Sequence, residues 1–169
     1  MSTSYLPGVS ESMYLSLSQF LYREAALLDA RDWDGWGKLF DAEGIYWVPA
    51  ARDQVSPVDH VSLVYDHALL RDIRIARLKN GDATSLQTRP DSSRLVSNIM
   101  IAEADEGAGR YTLSSRFVVA QFASWGVRTF HGAYTHKLVR DVAGELRILL
   151  KRVDLVDVEG PQGDILTIL

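Results

Sequence analysis

The stretch RYTLSSRFVVAQFASWGVRTFHGAYTHKLVRDVAGELRILLKRVDLVDV, residues 110–158, alternates apolar and polar side chains with a period of two. It does so in three runs, Arg110 to Phe122, Arg128 to Arg140 and Leu146 to Val158. A period of two marks a strand with one buried face. Turn-forming residues bound the runs: Gly107-Ala108-Gly109, Gly126 and Ala143-Gly144. Long strands so close in sequence are expected as antiparallel neighbours. The last run is apolar in both phases, Leu146, Ile148 and Leu150 against Leu149, Val153 and Leu155, as expected of a strand covered on both sides.

Upstream, Arg94 opens a fourth strand. Leu95, Ser97, Ile99 and Ile101 are expected on one face, with Val96, Asn98, Met100 and Ala102 on the other. Before it the rhythm is helical. Leu17, Phe20, Leu21, Ala25 and Leu28 fall three and four apart on one stripe, within a pattern running from Glu11 to Phe40. Pro7 and Gly8 precede this helix, and Ser10 is positioned to cap it. Asp32-Trp33-Asp34-Gly35 breaks the pattern, and Trp36, Leu39 and Phe40 open a second, short helix. Ile45 to Val48 reads as a short strand closed by Pro49. His67 to Lys79 reads as a third helix with Leu69, Leu70, Ile73 and Leu78 on its buried side, stopped by Asn80-Gly81.

Helices followed by an antiparallel meander make an α+β domain. Strands of this length twist strongly, so the sheet should curl around the first helix and leave a conical hollow. No linker or repeat divides the chain, and residues 1–169 are expected as one domain. Residues 1–15 form an N-terminal arm, and 165–169 an apolar tail, Ile165-Leu166-Thr167-Ile168-Leu169.

Composition removes several functions. A formal net charge of −4 with no Lys/Arg run argues against nucleic acid and anionic membrane as partners. No apolar run approaches the roughly 20 residues of a membrane helix, and the first residues lack the pattern of a secretory signal. A cytoplasmic location is expected. The absence of cysteine excludes thiolate metal sites, iron–sulfur ligation and cysteine nucleophiles in this chain. The four histidines are the remaining nitrogen ligands. His131 and His136 lie five apart on one strand and so point to opposite faces, while His60 and His67 flank a strand-to-helix junction. Neither pair converges as a facial triad requires.

Several segments carry a resemblance. FLYREAALLDARD, Phe20 to Asp32, continuing as WDGWGKLFDAEGIYWVP to Pro49, resembles the opening of the β subunits of aromatic-ring-hydroxylating dioxygenases. SLVYDHALLRDIRIARLKNG, Ser62 to Gly81, and the Arg94–Ile99 strand resemble later landmarks of that family. So do FHGAYTHKLVR, ELRILLKRVDLVD and the tail DILTIL. The resemblance implies a cone of the nuclear transport factor 2 (NTF2) type. It also implies an α3β3 assembly in which the large subunit carries a Rieske [2Fe–2S] cluster and mononuclear Fe(II). Electrons would come from NADH through reductase and ferredoxin components, and the product would be a cis-dihydrodiol. The small subunit would be structural, with no catalytic, cofactor-binding or metal residue. The SLVY segment is most similar to members acting on benzoate-like acids.

Two other readings compete. The hollow could be the active site of a stand-alone dehydratase, isomerase or cyclase, with Asp29, Tyr46, Asp66, His67, Arg94 and His131 as candidates, because an enclosed carboxylate is a competent acid or base. The chain could also be a ligand-binding or dimerising module. On the structural reading, Asp29 and Asp32 terminate and cap helices, Tyr46 anchors its hydroxyl at the cavity edge, and Trp33, Trp36 and Trp47 form a satellite core cluster. Trp125, at a hairpin tip, needs a cover, and a neighbouring subunit is the expected one. Arg52, Arg128 and Arg152 are candidate subunit contacts. The apolar tail with Ile168 and Leu169 should dock either on its own sheet or on another subunit, the second being preferred.

Overall fold

The computed structural model describes residues 9–80, 91–160 and 165–169. Its elements run α1 (Glu11–Asp29), α2 (Trp33–Gly37), β1 (Phe40–Pro49), β2 (Ser62–Asp66), α3 (Ala68–Asn80), β3 (Asp91–Asp105), β4 (Arg110–Ala123), β5 (Gly126–Arg140) and β6 (Leu146–Leu155). Pro7, Gly8 and Gly81 lie outside the described residues.

The strands form one six-stranded sheet in the order β2-β1-β6-β5-β4-β3. The antiparallel meander β3-β4-β5-β6 is as expected. The sheet is mixed, however, because β1 lies parallel to β6 and carries β2 antiparallel on its other edge. Parallel pairing needs a long crossover, and the intervening α3 and meander supply one. The open sheet packs its inner face on α1 as an α+β fold, whose core joins Leu17, Leu21 and Leu28 to Leu113, Phe117, Phe130 and Leu138.

Ser10 caps α1 as expected, accepting from Met13 N at 3.2 Å. Asp32 caps a helix as expected on the structural reading. Its Oδ1 accepts from Gly35 N at 2.8 Å and starts α2 at Trp33. Phe40, expected in that helix, instead opens β1, which is correspondingly longer than Ile45 to Val48. Trp33 and Trp36 belong to the main core rather than a satellite cluster, while Trp47 packs on the other face against Tyr65 and Arg152. Strand β6 ends at Leu155, not Val158.

Two further expectations fail because strands slip phase. In β3, Asn98 adopts φ 52° at a register shift between Ser97 and Met100. This bulge turns Arg94 and Ile99 to the same inner side, so Leu95 and Ser97 are exposed while Ile99 and Ile101 are buried. In β6, Lys137 pairs with Leu150 and Leu138 with Ile148, leaving Leu149 as the extra residue. The inner phase therefore passes from Leu146 and Ile148 to Lys151, Val153 and Leu155. Each bulge brings one cation inside.

The orientation of α3 is also reversed from its expected pattern. Its buried residues are Arg71 and Ile75, while Leu69, Leu70 and Ile73 face solvent and only Leu78 packs partly on the core. Arg71 determines this. Its guanidinium lies 4.1 Å over the Phe40 ring and donates to Gly44 O at 2.7 Å, which anchors that helix face on β1.

Candidate functional site

Helix α1 carries Glu24 on the same stripe as Leu17, Leu21 and Leu28, so its carboxylate enters the cone-like interior. Three donors meet it there. Trp36 Nε1–H donates to Oε1 at 3.0 Å, Lys151 Nζ reaches Oε1 at 2.9 Å, and His136 Nε2–H donates to Oε2 at 2.9 Å. Glu24, His136 and Lys151 are nearly devoid of solvent contact, with side-chain exposures of 4%, 1% and 1%. Burial opposes ionisation of Glu24, but attraction from Lys151 and then His136, with hydrogen bonds from both, holds its carboxyl well below the ordinary range. Burial pushes the Lys151 ammonium down, partly offset by Glu24. That ammonium also lies 4.7 Å over the Tyr134 ring, which stacks on Phe117 at 4.1 Å.

Tyr46 and Tyr134 complete the wall. Burial pushes Tyr46 up to about 12 and Tyr134 well above its usual value, so both hydroxyls stay protonated. Among the described residues, the Tyr134 hydroxyl and His136 Nδ1 have no hydrogen-bond partner. The space between these groups and Leu21, Ala25, Leu28 and Val96 cannot hold a water-sized body. Among the described residues, the expected hollow is closed beside Glu24.

Segment 165–169 seals the same interior. Leu169 N donates to the Tyr46 hydroxyl at 3.1 Å, Arg94 Nη2 to Ile168 O at 2.9 Å, and Leu166 N to Gln121 Oε1 at 2.8 Å. Ile168 and Leu169 are buried in the chain's own core. Of the two alternatives for the tail, the structure has the one not preferred, docking on its own domain; Ile168 and Leu169 leave no exposed area, while Ile165, Leu166 and Thr167 remain partly exposed.

Four of the six candidates for a stand-alone active site, Asp29, Arg94, Tyr46 and Asp66, come together, but in pairs committed to structural contacts, and the two histidines stay outside. Asp29 is spent on Arg94, accepting from its Nη1 at 2.6 Å and its backbone N at 3.1 Å. Tyr46 and Asp66 are cross-strand partners, but Asp66 is tied to Arg74. His67 and His131 are exposed. The interior instead collects Glu24, Lys151, Trp36 and Tyr134, none of them a sequence candidate, together with His136, considered only as a metal ligand. Glu24 and His136 were legible, since each shares the phase of flanking core residues. Lys151 was hidden by its bulge.

The candidate contact residues lie elsewhere. Trp125, at the β4–β5 hairpin, is 52% exposed. Arg128 sits 4.8 Å over Phe130 and 4.0 Å from Asp157. Arg152 stacks 4.5 Å over Trp47 and binds Asp154 at 2.7 Å, and Arg52 donates to Val156 O at 3.2 Å. Among the described residues no group of three His, Cys, Asp or Glu side chains could hold a metal. With no cysteine and with His131 and His136 on opposite faces, this donor set fits neither a Rieske cluster nor a mononuclear iron triad.

A family model described as ring hydroxylating beta subunit matches residues 23–158. The chain belongs to this family. Among its curated relatives, this β-subunit chain is 37% identical over 57% of its length to the 2-halobenzoate 1,2-dioxygenase small subunit of Burkholderia cepacia, spanning 61% of that protein. It is 32% identical over 90% of its length to the small oxygenase component of the p-cumate 2,3-dioxygenase system of Pseudomonas putida, of which it covers 85%. The chain thus spans about three-fifths of the halobenzoate relative it matches. In fold it is similar to the β subunit of benzoate 1,2-dioxygenase from Burkholderia mallei (TM-score 0.74, 22% identity, 96% of this chain and 100% of that one). It is also similar to a chain of naphthalene 1,2-dioxygenase (TM-score 0.77, 16% identity, 98% and 90%). The architecture is that of the NTF2-like α+β cone.

Proposed function

We propose that this β-subunit-family chain is the non-catalytic small subunit of a multicomponent oxygenase that cis-dihydroxylates an aromatic compound, and that it assembles and stabilises the large subunits. The observation that carries this reading is that, among the described residues, the space around Glu24 is closed. An acid/base enzyme of this fold needs an open cavity and a free carboxylate or imidazole. Here the central carboxylate is neutralised by Lys151 and capped by Trp36 and His136, with no space for a substrate beside it. The cluster is built to hold α1, β5 and β6 together rather than to exchange protons with a ligand.

On this reading iron and oxygen are handled by the large subunit, which supplies the Rieske cluster and the mononuclear Fe(II). Reductase and ferredoxin components deliver electrons from NADH to that subunit, in an α3β3 complex in the cytoplasm. The relatives acting on benzoate, halobenzoate and cumate support a benzoate-like acid as substrate. Exposed Trp125 and the arginines Arg52, Arg128 and Arg152 remain our candidate contacts with neighbouring subunits, although the guanidinium of Arg152 is already engaged by Asp154 and Gln54 O and is mostly covered.

The test is co-expression with a large oxygenase chain carrying a CxH…CxxH pattern, sought in the gene neighbourhood of this one, followed by intact-mass measurement of the complex. A brown, stoichiometric assembly is expected, and the chain purified alone should be colourless and metal-free. Turnover of a ketosteroid-like or polyketide substrate by the isolated chain would favour a stand-alone enzyme instead.

A further inference from the structure

Every large apolar side chain from Val55 to Ile73 except Val64 is exposed: Val55, Val58, Val61, Leu63, Tyr65, Leu69, Leu70 and Ile73. They run along one continuous piece of chain, the loop after β1, strand β2 and the outer stripe of α3. Their combined exposed area is on the order of 800 Å², the share one partner gives to a standard protein–protein interface. It is divided between the outer face of β2, where Tyr65 packs on Trp47, and the outward stripe of α3, which packs on the core side by Arg71 and Ile75.

Two features distinguish this surface from incidental exposure. The first is the reversal of α3. Arg71 holds the helix down by Phe40 and Gly44, so its apolar stripe is directed outward by a buried, specific contact. The second is the organisation of the loop around one buried side chain. Buried Gln54 accepts from Ala50 N at 3.0 Å and donates to Ser56 O, His60 O and Ser62 Oγ at 3.1, 3.2 and 3.3 Å. The valines at 55, 58 and 61, each at least 86% exposed, therefore stand on an organised platform.

We infer that the Val55–Ile73 surface is where this chain docks the large oxygenase subunit. The inference rests on the small-subunit reading above and assigns it a surface. A ring of three small subunits needs contacts between two different patches, whereas one apolar patch meeting its own copy would close at two. A heteromeric partner with a matching apolar face satisfies the area without that conflict. Charge adds a preference for an acidic rim on the partner. Arg74 and Lys79 are paired within the chain by Asp66 and Asp34, but exposed Arg77 has no acidic partner among the described residues.

The experiment is co-expression with the cognate large subunit of three variants: Leu69→Glu combined with Ile73→Glu, Val58→Asp, and Arg77→Glu. All four positions lie at the surface, so circular dichroism and melting temperature of the isolated chain should stay near wild type. The first two should weaken capture of the large subunit at least tenfold, with the small subunit's own oligomeric state unchanged. Arg77→Glu should weaken it most at low salt. Wild-type stoichiometry in the double and Val58 variants would overturn the assignment. So would loss of self-association with large-subunit binding intact, which would give the surface to a second copy. If the wild-type chain captures no iron–sulfur subunit at all, the small-subunit reading fails first and the assignment falls with it.

Discussion

Replacing Glu24 by Gln keeps the shape of the side chain and removes the charge that three buried donors share. Lys151, 1% exposed, would then be a cation with no counter-ion. Removing one member of a buried pair typically costs about 3–5 kcal/mol, because the other charge stays buried. A second loss arises at His136. The new amide must direct its NH2 at either the histidine or Lys151; if at His136 Nε2, the imidazole must move its proton to Nδ1, which has no acceptor among the described residues. An unsatisfied buried donor costs about 1–3 kcal/mol, and the two losses overlap rather than add. A destabilisation of about 4 kcal/mol follows, and with a urea m-value of about 2 kcal/mol/M the unfolding midpoint should fall by about 2 M at unchanged m.

The acid limb supplies an independent check. The folded carboxyl of Glu24 titrates well below its ordinary value of 4.5. As pH falls below that value the unfolded chain takes up a proton that the folded chain refuses, so stability is lost with acid from about pH 4.5 downward. Glu24→Gln should flatten that part of the profile. Combining Glu24→Leu with Lys151→Met should recover much of the loss, because the buried charges leave together. A midpoint shift under 0.5 M for Glu24→Gln (roughly 1 kcal/mol), or a double variant no better than the single, would refute the claim that mutual neutralisation holds the cluster.

Four other outcomes are expected. Gly132→Ala should prevent soluble expression, since a Cβ there would collide with the Asp154 backbone carbonyl and come within 2.8 Å of the Phe117 ring; a soluble protein of wild-type melting temperature would contradict this. Asn98→Val should lower stability by about 1–2 kcal/mol in a thermal melt while Asn98→Gly stays near neutral, because φ 52° penalises a β-branched residue. Arg94→Met should speed amide exchange at Leu166–Leu169 by tenfold or more, since Arg94 ties Ile168 O to Asp29. At high pH the Tyr46 phenol, raised from 10.0 to about 12, keeps its proton while the unfolded chain loses it, so stability present below pH 10 is lost between about 10 and 12; near-ultraviolet absorbance should register tyrosinate at this residue, tracked by Tyr46→Phe, only as the protein unfolds.

How much of this was legible depends on whether periodicity survives along each element. Strands β4 and β5 keep one phase throughout, so their faces, including His136 beside Leu138, follow from alternation. In β3 and β6 a single inserted residue reverses the phase, and nothing in Asn98 or Leu149 read alone announces it, although Asn tolerates the left-handed conformation better than most residues. Arg94 and Asp29 were nevertheless expected at the hollow and meet there, whereas Lys151, which owes its inward placement to the β6 bulge, was the interior charge that alternation concealed. The parallel pairing of β1 with β6 was hidden for another reason, since no local pattern specifies a partner more than a hundred residues away. The α3 stripe was read correctly as apolar. Its assignment to the chain's own core assumed that every apolar face is satisfied within the chain.

The same bulges explain how a fold suited to enclosing a ligand becomes solid. A straight β6 would direct Leu150 inward and Lys151 outward, leaving Glu24 with Trp36 and His136 but without its lysine counter-ion, the environment that raises a buried carboxylate's pKa. The inserted Leu149 delivers Lys151 to Glu24 instead, and the Asn98 bulge delivers Arg94 to Asp29 and to the backbone of Ile168. Buried Glu24 and half-buried Asp29 are thereby consumed, as buried Asp66 is by Arg74, and Arg94 also draws the 165–169 segment over the interior. A small subunit whose task is to present a rigid outer surface gains from such an arrangement, because the ion pairs that remove reactivity also cross-link α1 to the strands on which the exterior is built.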